Sequence, residues 1–148
     1  MSHDPQEVDR IALEKLYSYE IEIREWGMLF DNKYVITTDS IIINYSVIKR
    51  PARFAKEVTE GHARSICSSL EKVDMKNMKE SYVDNHAPDD MPEYDFRIIR
   101  NDETKEFHIY QVKLDEIFNL VAEINKILPK EHRVGYDKEY FRYKKEKK

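Results

Sequence analysis

The sequence predicts an α+β domain. An antiparallel sheet of about five strands, a β-meander followed by a hairpin, carries two amphipathic helices packed on one face, and a short N-terminal helix precedes it. Three observations predict this. Tyr17 to Trp26 alternates strictly, with Tyr17, Tyr19, Ile21 and Ile23 on one side and Ser18, Glu20, Glu22 and Arg24 on the other. That is the period of a strand with one wet face. Leu114, Ile117, Phe118, Val121, Ile124 and Leu128 recur at three- and four-residue steps, the stripe of a helix lying on a core. The connections between alternating runs are short and polar, which favours antiparallel neighbours.

Taken in order, Asp4-Pro5-Gln6-Glu7 starts the first helix. Asp4 serves as N-cap, Pro5 fits the first helical position and Glu7 completes a capping box. Val8, Ile11, Ala12 and Leu16 continue it over roughly residues 5–16. After the first strand, Asp31-Asn32 supplies a turn. Lys33 to Thr38 forms the second strand, and Thr38-Asp39-Ser40 is either a tight turn or a bulge. Ile41 to Ile48 is the most apolar strand, with apolar residues on both faces, and is placed centrally. Arg50-Pro51 ends it, and a helical period runs from about Phe54 to Lys72 through Ala55, Val58, His62, Ile66, Leu70 and Val73. Gly61 weakens the middle of that helix by about 1 kcal/mol relative to alanine. Ser81 to Pro92 reads as a loop broken by Pro88 and Pro92.

The hairpin follows: a strand from Tyr94 to Arg100, a polar turn at Asn101-Asp102-Glu103-Thr104, and a strand from Lys105 to Lys113. In the second of these, Phe107, Ile109 and Gln111 face one way and His108, Tyr110 and Val112 the other. The closing helix runs from Leu114 to Leu128, with Asp115 and Glu116 in its first turn and Lys126 in its last, all favourable to the helix dipole. Pro129 stops it, and a short extended piece follows near Val134-Gly135-Tyr136. Residues 1–136 form a single domain; 137–148 are a basic C-terminal tail, either a lysine-rich helix or disordered.

The length of 148 residues suits one core. Three glycines leave little room for Gly-rich phosphate loops, and a single cysteine, Cys67, excludes an intramolecular disulfide. The start of the chain carries no apolar signal segment, and no run approaches a membrane span, so the chain reads as soluble and cytoplasmic. The net charge of −4 is uneven. Residues 130–148 carry eight Lys/Arg against four Asp/Glu, a local +4, which leaves −8 on the rest. An acidic body argues against nucleic acid, because phosphate binding needs a basic face. It suits a basic protein partner, drawn in by electrostatic steering.

No catalytic constellation stands out. His86, Asp84, Asp89 and Asp90 lie close in sequence, but the spacing matches no metal loop, so they read as a solvated acidic loop. A further reading makes this loop a protein-binding surface, with acids, two prolines, and Tyr82 and Tyr94 at its ends. Cys67 and His62 are five apart on a helix and do not stack on one face, against a thiol–base pair. His108 and His132 have no partner at ligand spacing, and each reads as a packed or surface histidine. Glu20 and Glu22 are roughly 7 Å apart on one strand face, and Arg24 beside them makes a charge pair the simpler reading than a glycosidase pair. Tyr136, Tyr140, Phe141 and Tyr143 interleave with Arg142, Lys144, Lys145, Lys147 and Lys148, a pattern that can bind single strands but reads first as a solubilising tail. Trp26, before Gly27, is a core anchor or an interface aromatic.

Thr38-Asp39-Ser40-Ile41-Ile42, the Tyr94–Val112 hairpin and the helix closing on Ile124-Asn125-Lys126-Ile127-Leu128-Pro129 resemble small uncharacterised α+β proteins of Bacteroidetes-type bacteria, over roughly residues 17–136. That resemblance brings no activity and no catalytic residues. In size, acidity and lack of catalytic motifs the chain also looks like immunity proteins that neutralise bacterial toxins, a likeness of class rather than motif. The expectation is a non-enzymatic protein-binding domain without a cofactor or metal, an inhibitor of a basic toxin. Its partner-binding residues would be Trp26, Tyr82, Asp84, Asp89, Asp90, Glu93 and Tyr94. The alternative is a small-ligand or metal-binding domain with a pocket between sheet and helices.

Overall fold

The computed structural model describes residues 19–47, 50–86 and 91–137. The expected helix over 5–16 and the tail beyond 137 lie outside the described residues. Among the described residues, seven strands form one mixed sheet: β1 (Tyr19–Trp26), β2 (Asp31–Thr37), β3 (Ser40–Val47), β4 (Arg50–Glu57), β5 (Ser81–Val83), β6 (Glu93–Arg100) and β7 (Glu103–Tyr110). Two α-helices accompany them, α1 (Glu60–Glu71) and α2 (Asp115–Asn125). The strand order is β4-β3-β2-β1-β6-β7-β5. Consecutive hairpins pair β1 to β4 antiparallel, β6 and β7 pair antiparallel, and β1 joins the two halves by pairing with β6. β5 adds to the far edge, parallel to β7.

The alternation in β1 translates directly into burial. Tyr19, Ile21 and Ile23 are buried, as are Tyr34 and Ile36 of β2, Ile41 and Ile43 of β3, Tyr94, Phe96 and Ile98 of β6, and Phe107 and Ile109 of β7. Both helices lie on this face. α1 contributes Ala63, Ile66, Cys67 and Leu70, and α2 contributes Ile117, Leu120, Val121 and Ile124. Each set follows three- and four-residue steps, so a single stripe of each helix meets the sheet. Each fully buried aliphatic or aromatic side chain contributes about 1.5–3 kcal/mol, so this one layer dominates the stability. Among the described residues, the opposite face of the sheet carries no helix.

In its strands and first helix the structure corrects the sequence reading in four places. First, the sheet has seven strands rather than about five, and one pairing is parallel. Second, Arg50–Glu57 is a strand, where the helix was expected to begin at about Phe54. Phe54 pairs with Ile43 across the hairpin, and its ring packs at the margin of the core. The four-residue step from Phe54 to Val58 imitates a helix, but Pro51 is compatible with an edge strand, which has one unpaired side. The helix starts only after Thr59, whose hydroxyl accepts the His62 N–H at 3.2 Å. Gly61 therefore sits in the first turn and not mid-helix. Third, Ser81–Val83 is a short edge strand where a loop was expected. Fourth, β3 is not central; β1 is, and the outer face of β3 is not buried.

The hairpin turn is tighter than expected. Arg100 pairs with Glu103, so only Asn101 and Asp102 turn the chain. Asn101 takes φ 54°, a left-handed conformation that asparagine tolerates. The segment after α2 is held by buried polar contacts. Asn125 donates from Nδ2 to the Val134 carbonyl at 2.9 Å and accepts the Val134 N–H at 2.8 Å. The Tyr136 hydroxyl donates to the Val112 carbonyl at 2.7 Å and accepts the Leu114 N–H at 2.9 Å. Gly135–Asp137 is a 3-10 turn rather than an extended piece.

Candidate protein-binding surface

On the uncovered face, register places charges opposite one another in two rows. In the first, Glu22 of β1 lies opposite Arg97 of β6, which lies opposite Glu106 of β7. Arg97 reaches Glu22 at 2.9 Å and Glu106 at 3.2 Å, and Lys33 of β2 closes the row on Glu22 at 3.0 Å. The Arg97 hydrogen bond, then that of Lys33, holds the Glu22 carboxyl below its ordinary range. In the second row, Arg24 lies opposite Asp95, and Asp95 opposite His108. Such directly opposed pairs are the units that stabilise a sheet surface.

Asp95 is the hub of the second row. Its Oδ2 accepts the Trp26 indole N–H at 2.8 Å, and its Oδ1 lies 2.6 Å from His108 Nδ1. His108 Nε2 is 3.0 Å from Glu93. Both contacts are hydrogen bonds only when the ring carries two protons. Arg24 lies 4.8 Å from the Trp26 ring centre and donates two hydrogen bonds to Asp31, at 2.9 and 3.0 Å. The hydrogen bond to Asp31 holds the Arg24 guanidinium above its ordinary range. The single tryptophan of the chain is thus fixed in orientation at the margin of the uncovered face.

A shallow open depression of about 600 Å³ lies over these rows, lined in part by Glu22, Arg24, Lys33, Arg97 and His108. Each of these charges already has a partner within the sheet. A small charged ligand would have to displace them. The space between sheet and helices, where a ligand pocket was expected in the alternative reading, is occupied by core side chains such as Phe96, Phe107, Ile117 and Tyr136. Phe96 and Phe107 stack there at 5.0 Å. Among the described residues, no group of three or more His, Cys, Asp or Glu could hold a metal ion.

The expected partner-binding residues fall in different places. Trp26 and Glu93 pair across β1 and β6 at one end of the sheet, with part of each exposed. Asp84 follows β5 at the same end; its N–H donates to the Tyr110 carbonyl at 3.0 Å and its Oδ1 accepts the His86 N–H at 3.0 Å. Tyr94 is a correction: it is fully buried on the helix-covered face, and its hydroxyl donates to Glu25 at 2.9 Å. Strand parity puts it opposite to Glu93, so it supports the surface from beneath. Tyr82 likewise packs against the core, and its hydroxyl accepts the Lys79 N–H at 2.8 Å. Asp89 and Asp90 lie outside the described residues.

His62 and Cys67 form no reactive pair. Cys67 is buried, and burial, with Glu71 second, pushes its thiol up to about 11, so it stays protonated at neutral pH. His132 stacks on Phe54 at 3.8 Å and shares a 2.7 Å hydrogen bond with Tyr45, a packing role at the sheet margin. Glu22 is paired with Arg97 and Lys33 on the open face, the charge pairing expected there, although with Arg97 and Lys33 rather than Arg24. Sequence reasoning missed the Asp95 hub and the buried carboxylate of Glu25. Parity would have found Glu25, which continues the inward series Tyr19, Ile21, Ile23.

The chain is an α+β protein built on one mixed sheet, one face of which no described element covers. No protein-family model matches the chain, and no curated protein matches its sequence. No helix among the described residues is long and apolar enough to cross a membrane.

Proposed function

We propose that the chain is a protein-binding domain of the immunity type, which neutralises a basic bacterial toxin by holding it against the Trp26 end of the uncovered sheet face. The observation that carries this reading is Trp26 itself, held by Asp95 beside Asp31 and Glu93. Tryptophan is among the residues most enriched at interface hot spots, and ordering it in advance removes part of the cost of association. The body charge of −8 outside residues 130–148 favours approach by a basic partner.

The experiment is retention on the immobilised chain of proteins from the cells that naturally make it, at low salt, with identification by mass spectrometry. The expected result is one basic protein at near one-to-one ratio, released by salt, and retained less by the double variant Asp84→Lys, Glu93→Lys. Retention no greater than on an unrelated acidic domain would overturn the reading, as would equal retention by the charge-reversed variant.

A further inference from the structure

Among the described residues, the exposed large hydrophobic side chains are Met28 (85%), Leu29 (63%), Val83 (47%) and Val47 (42%). Register puts all four at one end of the sheet. Trp26 pairs with Asp31, so Met28 and Leu29 cap the β1–β2 hairpin there. Phe30 bridges Val47, which brings the end of β3 to the same place. Val83 pairs with Tyr110, the last residue of β7, next to the Tyr94–Ile109 pair. From β3 to β5 is five strand spacings, about 24 Å, with Met28 and Leu29 at the tip between β1 and β2. Turn residues are ordinarily polar, and an isolated exposed apolar residue such as Val47 or Val83 needs no explanation, but two adjacent ones at a hairpin tip, Met28 and Leu29, the most exposed of the four, call for one.

The tip is also built to hold its shape. Gly27 N–H donates to the Phe30 carbonyl at 2.9 Å and closes the loop. A Cβ on Gly27 would stand 2.8 Å from the Phe30 ring, so the absent side chain is what lets that ring lie beneath the tip. Met28 and Leu29 project beyond it. Trp26 flanks them on the uncovered face, fixed by Asp95.

We infer that Met28 and Leu29 are the anchor of the interface and insert into an apolar pocket of a protein partner whose rim carries lysines or arginines. This rests on the protein-binding reading above and deepens it. The charge around the tip selects the partner. Asp31 of β2 stands on one side of the tip, and toward β6, β7 and β5 this end carries Asp84, Glu93 and Asp95, against Arg24 of β1. Carboxylates beside an apolar tip repel an anionic lipid surface, which binds apolar segments flanked by lysine and arginine. Two copies of the chain, each of net charge −4, repel on approach, whereas a basic partner is steered in.

The test places a photo-crosslinking amino acid, p-benzoylphenylalanine, at Leu29 in the full chain, with Arg64 on the exposed face of α1 and Arg97 on the sheet face as controls. The chain is irradiated inside the cells that produce it. The expected result is one protein adduct from position 29, absent from position 64, attached at an apolar residue bordered by Lys or Arg. A second variant, Met28→Ser with Leu29→Ser, keeps Gly27 and Phe30 and should leave Trp26 emission unchanged. It should bind the crosslinked protein at least about tenfold more weakly, since two apolar side chains lose their burial. An adduct only with a second copy of the chain, only with lipid, or none at position 29 would overturn the inference. So would undiminished binding by the double variant. Adducts from position 97 but not from 29, with retention intact, would sink the tip as anchor and leave the protein-binding reading standing. No protein adduct from either position, with no retained protein, would remove both.

Discussion

Replacing Glu25 tests what holds the C-terminal segment against the sheet. Its carboxylate is buried on the helix-covered side, and one oxygen, Oε2, accepts both the Tyr94 hydroxyl at 2.9 Å and the Gly135 N–H at 2.6 Å. In Glu25→Ala both donors lose this acceptor within the core. Each such loss costs about 1–3 kcal/mol, hence about 2–6 kcal/mol together. Domains of this size unfold with about 5–15 kcal/mol, so the loss is a large fraction of the whole. With a urea slope near 1.5 kcal/mol/M, the midpoint falls by about 1–4 M. Glu25→Gln differs in a telling way. Both donors converge on a single oxygen, which an amide still supplies. The new NH₂ group lies on the strand pair opposite Asn32, whose buried side-chain oxygen meets no donor among the described residues. Glu25→Gln should therefore stay within about 1 kcal/mol of the parent. Urea unfolding followed by circular dichroism measures both, and hydrogen exchange at the Gly135 amide reports the local opening. If Glu25→Ala moves the midpoint by less than about 0.3 M, or Glu25→Gln is as damaging as Glu25→Ala, the two hydrogen bonds are not what holds the segment.

Two further perturbations address the uncovered face. Asp95→Ala removes both acceptor oxygens, the one that takes the Trp26 Nε1–H and the one beside His108 Nδ1, so both contacts are lost. Trp26 is the single tryptophan, so its emission should shift to longer wavelength and its anisotropy fall, with a stability loss of about 1 kcal/mol; an unchanged spectrum would show that Asp95 does not fix the ring. Glu22→Gln bears on acid stability. The native carboxyl is held low by Arg97 and then Lys33, so the native state keeps Glu22 ionised to lower pH than the unfolded chain does. That contribution is complete above the ordinary glutamate value of about 4.3 and is lost as pH falls through the lowered native value. The variant should be less stable at pH 7 by up to about 1 kcal/mol, the scale of surface ion pairs, and the two midpoints should converge as pH falls through the lowered native value. A gap that stays constant as pH falls to the acid unfolding limit would contradict the ionic origin.

Much of the architecture was legible because period and burial agree. The alternations in β1, β2 and β6 and the stripe of α2 each name their buried residues. β4 was lost because a strand at the sheet margin needs no regular apolar face, and the Phe54–Val58 step imitates a helical turn. β5 was lost because three residues carry too little pattern, and its partner is non-local. The surface was legible only in part. Trp26 and Glu93 are partly exposed at one end of the sheet, whereas Tyr82 and Tyr94 face inward, since strand parity and not proximity to the acidic loop sets their direction. The Asp95 hub depends on register: Arg24, Asp95 and His108 are far apart in sequence and meet only when β1, β6 and β7 align. The apolar tip had a signal in Met28-Leu29-Phe30, an apolar run where a hairpin turn should be polar.

The most direct measurement is the emission of Trp26 as the basic protein retained at low salt is added in increments to the purified chain. A change that saturates at a one-to-one ratio, weakens with salt and is diminished in the Asp84→Lys, Glu93→Lys variant is the predicted result. Tight binding of that protein with no change at Trp26, and with the charge-reversed variant binding equally well, would contradict an interface at this end of the sheet.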